Sequence, residues 1–108
     1  MHARVVVATD GVQRHVDAWL AEHPAGARAI LVEGLGAALD APAAIPIARI
    51  PAGCVCCLGR TPLRVALVRT VRATRPEHLL LLLTSGEHVD RVRTMLADGS
   101  LGVRFDLE

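Results

Sequence analysis

A chain of 108 residues with 52% hydrophobic content has the length of one domain and enough apolar material to bury roughly 65% of its unfolded surface, which excludes a second folded unit and a disordered chain alike. Trp19 and Phe105 are its only aromatic residues, so the core must be aliphatic, platforms for stacking nucleic-acid bases are missing and no nucleic-acid partner is expected. All twelve residues of the Lys+Arg count are Arg and the net charge is +1, which excludes Schiff bases, lysine general bases and the lysine of a Walker loop, and argues against a bulk electrostatic partner.

Arg4-Val5-Val6-Val7-Ala8-Thr9 is short, β-branched and bounded by Asp10-Gly11, which predicts a buried strand. A helix follows, with Val12, Val16 and Leu20 at four-residue spacing, Trp19 alongside, Asp10 as N-cap and Pro24 and Gly26 as terminators. Ala29 to Val32 predicts a second strand that ends at Gly34-Leu35-Gly36. Ile45 to Ile50 alternates, but Pro46 cannot donate a ladder hydrogen bond, so this run belongs at an edge or a strand start. Pro62 suits the first turn of a helix capped by Thr61 and running to about Arg75, with Leu63, Ala66, Leu67, Val68 and Val71 inward. Leu79 to Leu83 is apolar at every position, as a central strand covered on both faces requires. Thr84-Ser85-Gly86-Glu87 offers a capping box for a last helix with a Val89, Val92, Met95, Leu96 stripe ending at Gly99. Gly102 to Asp106 reads as a short final strand. The alternation predicts a single α/β domain over residues 1–108, a small doubly wound and mostly parallel sheet of about five strands with three helices.

Charge is unevenly spread along the chain. No acidic residue falls between Ala41 and Pro76, whereas Arg49, Arg60, Arg64, Arg69, Arg72 and Arg75 all do. No stretch approaches the ~20 apolar residues of a membrane span, and the start lacks the apolar length and cleavage site of a signal peptide. A cytoplasmic protein without a membrane partner is therefore expected.

The densest chemistry is Gly53-Cys54-Val55-Cys56-Cys57. In extended backbone Cys54 and Cys56 share one side and can meet one ion, and a turn after Cys57 can bring in the third sulfur. Thiolates favour zinc or cuprous copper, and Arg60 with a helix start near Thr61 would lower the thiol pKa values. Against this stands a plainer alternative, three small buried hydrophobes between a strand and a helix. The three cysteines are odd in number and packed together, unlike a disulfide framework, so a reducing compartment fits. His2, His15, His23, His78 and His88 show no ligand spacing among themselves; surface or capping roles are expected of each, although any could add a fourth ligand by folding near the cysteines. Glu33 stands at the end of the second strand, where parallel sheets build sites, or is a solvated loop residue.

Taken in order, Val5 to Gly11, the run Ile30-Leu31-Val32-Glu33-Gly34-Leu35-Gly36-Ala37-Ala38-Leu39-Asp40, the Gly53-Cys54-Val55-Cys56-Cys57 motif and Leu79 to Gly86 resemble the CobW-type metallochaperone GTPases, relatives of HypB and UreG. The resemblance extends over nearly all of the chain and corresponds to the front half of that family's nucleotide-binding domain. Its most specific element is Gly-Cys-x-Cys-Cys after a strand and before a helix. By resemblance, Cys54, Cys56 and Cys57 become ligands of zinc or another thiophilic divalent or cuprous ion, with Glu33 and Asp40 as candidate further metal or loop ligands.

The departures from the family lie in its phosphate machinery. Where Gly-x-x-x-x-Gly-Lys-Ser/Thr should follow the first strand, the chain has Thr9-Asp10-Gly11-Val12-Gln13-Arg14. The amide cradle is shortened, its lysine is gone, and Asp10 sets a negative charge where a phosphate would sit. Leu83 replaces a family glutamate ahead of Thr84-Ser85-Gly86, and the guanine-recognition segment and C-terminal domain have no counterpart here. GTP and magnesium are therefore not expected as cofactors, and GTP hydrolysis is expected to be lost, since phosphoryl transfer depends on those parts. The expectation is a truncated, non-enzymatic, metal-binding relative of these GTPases. Two alternatives stay open: an interaction module that forms a homodimer or joins a full-length CobW-type partner through its Arg-rich helix, and residual nucleotide binding at the main chain of Thr9, Asp10, Gly11 and Val12.

Overall fold

The computed structural model describes residues 1–8, 10–34, 38–50, 60–87 and 89–108. Strands β1 (His2–Val7), β2 (Arg28–Glu33), β3 (Ile47–Ile50), β4 (His78–Leu83) and β5 (Asp106–Leu107) and helices α1 (Val12–Glu22), α2 (Arg60–Thr74) and α3 (Val89–Asp98) follow in the order β1-α1-β2-β3-α2-β4-α3-β5. All strand pairs are parallel, in the spatial order β3-β2-β4-β1-β5. The fold is thus the expected doubly wound α/β sheet.

The leucine run occupies the centre because nothing else in the chain is apolar on both faces for so long. Leu79 to Leu83 are all buried, and β4 is flanked by β1 and β2. Leu79, Leu81 and Leu83 join a core with Leu63 and Leu67 of α2 and Val92, Met95 and Leu96 of α3. Leu80 and Leu82 face the other way, with Val16 and Trp19 of α1, Ile30 and Val32. Each buried leucine contributes about 1.5–3 kcal/mol of transfer free energy, so the alternation along a single strand ties two separate cores together. β3 is an edge strand that begins directly after Pro46, whose carbonyl accepts from Ile30 N–H at 3.0 Å. The proline therefore contributes the one backbone group it has to the ladder.

Three local expectations are corrected. The N-cap of α1 is Gly11 and not Asp10: Gly11 sits in the left-handed region with φ 60°, and no side chain caps the helix. Only glycine adopts that conformation without a Cβ penalty. The capping box at Thr84 does not form, because Thr84 donates both its N–H and its Oγ1–H to Glu33, while Ser85 Oγ accepts from Glu87 N–H instead. The final strand is confined to Asp106–Leu107, because Phe105 N–H is taken by Leu96 O at 2.9 Å and the Phe105 ring is drawn into the core. No helix among the described residues is long and apolar enough to cross a membrane.

Candidate functional site

A parallel sheet aligns all its strand ends, so this molecule has two chemically distinct edges. At the carboxyl edge β1, β2, β3 and β4 end together, tied by Ala8 N–H to Leu83 O and Gly34 N–H to Ile50 O. Glu33, the last residue of β2, is buried to 4% exposure. Its Oε1 accepts from Thr84 N–H at 2.7 Å and Thr84 Oγ1–H at 2.5 Å. A buried carboxylate persists only with such donors around it. Glu33 borders a cavity of about 150 Å³ together with Val12, Gly34, Leu39, Arg49 and Thr84, and Arg49 Nη1 donates a long bond of 3.4 Å to Gly34 O. Ligand pockets generally need ~300 Å³ or more. This one is about half that size, and Ala8, Val32, Leu82 and Leu83 make much of its wall apolar.

The residues predicted for function fall unevenly on this edge. Cys54, Cys56, Cys57 and Thr9 lie outside the described residues, as does His88. Asp10 is exposed, Gly11 caps α1 and Val12 opens the helix beside the cavity. Glu33 is buried and hydrogen-bonded, which removes the alternative of a solvated loop residue. Asp40 is exposed, and its backbone is clamped to α1 by Gln13, whose side-chain amide donates to Asp40 O at 2.9 Å and accepts from Asp40 N–H at 2.8 Å. Among the described residues, neither Glu33 nor Asp40 belongs to a group of three metal-ligating side chains.

The amino edge holds a cluster that spacing along the chain does not reveal. His23, the C-cap of α1, lies beside His78 at the start of β4 and Glu108 just past β5. One ligand atom from each lies within 4.8 Å of the other two. The His23 and His78 rings stack with centroids 4.0 Å apart, and His2 also stacks with His78, at 5.7 Å. Burial pushes the His78 imidazole below its ordinary value of 6.5; the neighbouring His23 adds to this, and Glu108 opposes it. Strand registry could have placed His2 beside His78, since each stands first in a strand and parallel pairing aligns them, but it gives no sign of His23 or Glu108.

No family model matches the chain, no curated protein matches it, and no solved structure matches it. The likeness to the CobW group therefore rests on the residues and motifs quoted above.

Proposed function

We propose that the chain binds a thiophilic transition metal, zinc or one of similar softness, through Cys54, Cys56 and Cys57, and holds or delivers it without turning over GTP. The observation that carries this is where the cysteine span is tethered. It leaves from Ile50, the register partner of the buried Glu33, and rejoins the fold at Arg60, the first residue of α2. Both anchors belong to the carboxyl edge, where open parallel sheets carry their ligands. Three residues, Pro51, Ala52 and Gly53, separate Ile50 from Cys54. The first turn of α2 contains no acidic residue, so the positive end of its dipole favours thiolate in the preceding cysteines.

The turn between β1 and α1 supports the loss of GTP hydrolysis. Only Ala8 to Gly11 separate the two elements, against the eight positions of a Walker loop. Replacing Cys56 and Cys57 together by serine tests the metal reading: zinc affinity at neutral pH should fall roughly 100-fold or more, beyond the ~10–100-fold that losing a mere supporting partner costs. Unchanged stoichiometry and affinity would refute it.

A second reading has one observation in its favour. On α2, Val65 is 45% exposed and lies with Val68 between Arg64, Arg69 and Arg72 along a groove of about 590 Å³. An apolar stripe edged by arginines is what a second copy or a larger CobW-type partner could cover. Size measurement in solution with and without zinc distinguishes the two: a metal-independent dimer, dissociated by Val65→Glu, favours the interaction module.

A further inference from the structure

We infer that the amino edge is a second metal site, independent of the cysteines, in which His23, His78 and Glu108 bind one divalent ion of the zinc class. The spacing of the ligand atoms is near what such an ion needs, although the rings are not yet aimed at one point. Ligands at ~2.0–2.2 Å from a tetrahedral centre stand ~3.3 Å from one another. Here His23 Nε2 is 2.9 Å and His78 Nδ1 3.8 Å from the same Glu108 Oε1, spacings that bracket that value. Two imidazoles and one carboxylate form a ligand set that leaves a fourth position for water.

An unmet demand points to a ligand here. His23 Nε2 and His78 Nδ1 are both shielded from solvent, and neither has a hydrogen-bond partner; the 2.9 Å approach of His23 to Glu108 lacks the alignment of a hydrogen bond. Burying such nitrogens unpaired costs free energy, and a shared cation satisfies both.

The surroundings are organised as a supporting shell. Arg4 Nε donates to Glu108 Oε2 at 2.7 Å, which fixes the carboxylate and leaves Oε1 toward the histidines. Arg4 is itself held by Glu22. Arg28 Nη1 donates to the His23 carbonyl at 2.8 Å, fixing the backbone that carries the ligand. Glu22, Glu77 and Glu108 bring three carboxylates to this neighbourhood beside the two guanidinium groups of Arg4 and Arg28. The parallel stack of the two rings, tilted by 27°, cannot aim both lone pairs at one ion. Binding therefore requires one ring to turn about its side-chain torsions, and that rotation is itself an observable.

The test uses the full chain with Cys54, Cys56 and Cys57 all replaced by serine, titrated with cobalt(II) at neutral pH. One equivalent should bind and quench the fluorescence of Trp19, the chain's one tryptophan, whose ring lies 5.7 Å from that of His23. His23→Gln or His78→Gln in that background should weaken binding roughly 100-fold or more, whereas in the cysteine-containing chain the same changes leave the thiolate-bound equivalent in place. Failure of the cysteine-free chain to bind, or affinity unaffected by both glutamine variants together, overturns the inference and leaves the cysteine proposal untouched. Should the variants not fold, zinc added to the unmodified chain decides: imidazole nitrogen shifts must move for His23 and His78 and stay for the exposed His15, and unmoved His23 and His78 signals overturn it.

Discussion

The two edges of one sheet treat their buried polar groups in opposite ways. At the carboxyl edge, Glu33 is satisfied: its carboxylate takes both donors of Thr84 and locks the end of β2 to the end of β4. At the amino edge, His23 and His78 bring buried ring nitrogens together and leave them without hydrogen-bond partners beside Glu108. A satisfied group positions the chain; an unsatisfied one invites a ligand. Glu33 accordingly fixes the end of β2 against the end of β4, whereas the histidine pair is the feature on which the proposed second metal site rests.

The largest expected effect comes from the wall of the amino edge. Trp19 is fully buried against Val16, Ile30 and Leu80 and tilts against His23. Trp19→Ala should cost about 4 kcal/mol, as large aromatic truncations do, and is measured by denaturant unfolding; a loss under about 1 kcal/mol would mean that the α1 core does not support the cluster. Next comes the carboxyl edge. Glu33→Ala strands the Thr84 N–H and hydroxyl and should cost about 2 kcal/mol, with Glu33→Gln, which keeps an acceptor, costing less. Equal losses in the two variants would show that the charge, and not the acceptor, is what Thr84 requires.

A smaller effect belongs to the β1–α1 turn. Gly11→Ala forces a Cβ into the left-handed region, where it also meets the Arg14 guanidinium, and should cost about 1 kcal/mol by the same assay. The smallest concerns pH. Because the folded-state value of His78 is depressed, its contribution to stability is complete above the ordinary histidine value of 6.5 and is lost as pH falls below it. In the presence of a chelator, stability should therefore decline on acidification from pH 7 to 5, and His78→Asn should make that decline shallower; an unaltered slope would mean that His78 does not titrate differently on folding.

Much of the fold could be read from residue patterns because single strands and helices carry their own signal. Five consecutive leucines identify the central strand, Pro46 marks the edge strand, and the Val16/Trp19 and Val92/Met95/Leu96 stripes identify helices. The failures lie where two distant segments compete for one group. Thr84 looks like a helix cap in isolation, but Glu33, fifty-one residues earlier, takes its donors. Phe105 looks like a strand residue, but the core claims it and the strand shrinks to Asp106–Leu107. His23, His78 and Glu108 are far apart in the chain and meet because β4 begins, and α1 and β5 end, at the same edge of the sheet. The cysteine motif was conspicuous by composition alone, and the fold adds the position of its two anchors, Ile50 and Arg60.

The most direct test of the central claim is the absorption spectrum of the unmodified chain titrated with cobalt(II) under reducing conditions. Ligation by Cys54, Cys56 and Cys57 predicts an intense thiolate-to-cobalt charge-transfer band that saturates at one equivalent and disappears in the Cys56→Ser, Cys57→Ser chain. A spectrum with only the weak bands of nitrogen and oxygen ligation, unchanged by those substitutions, would contradict it.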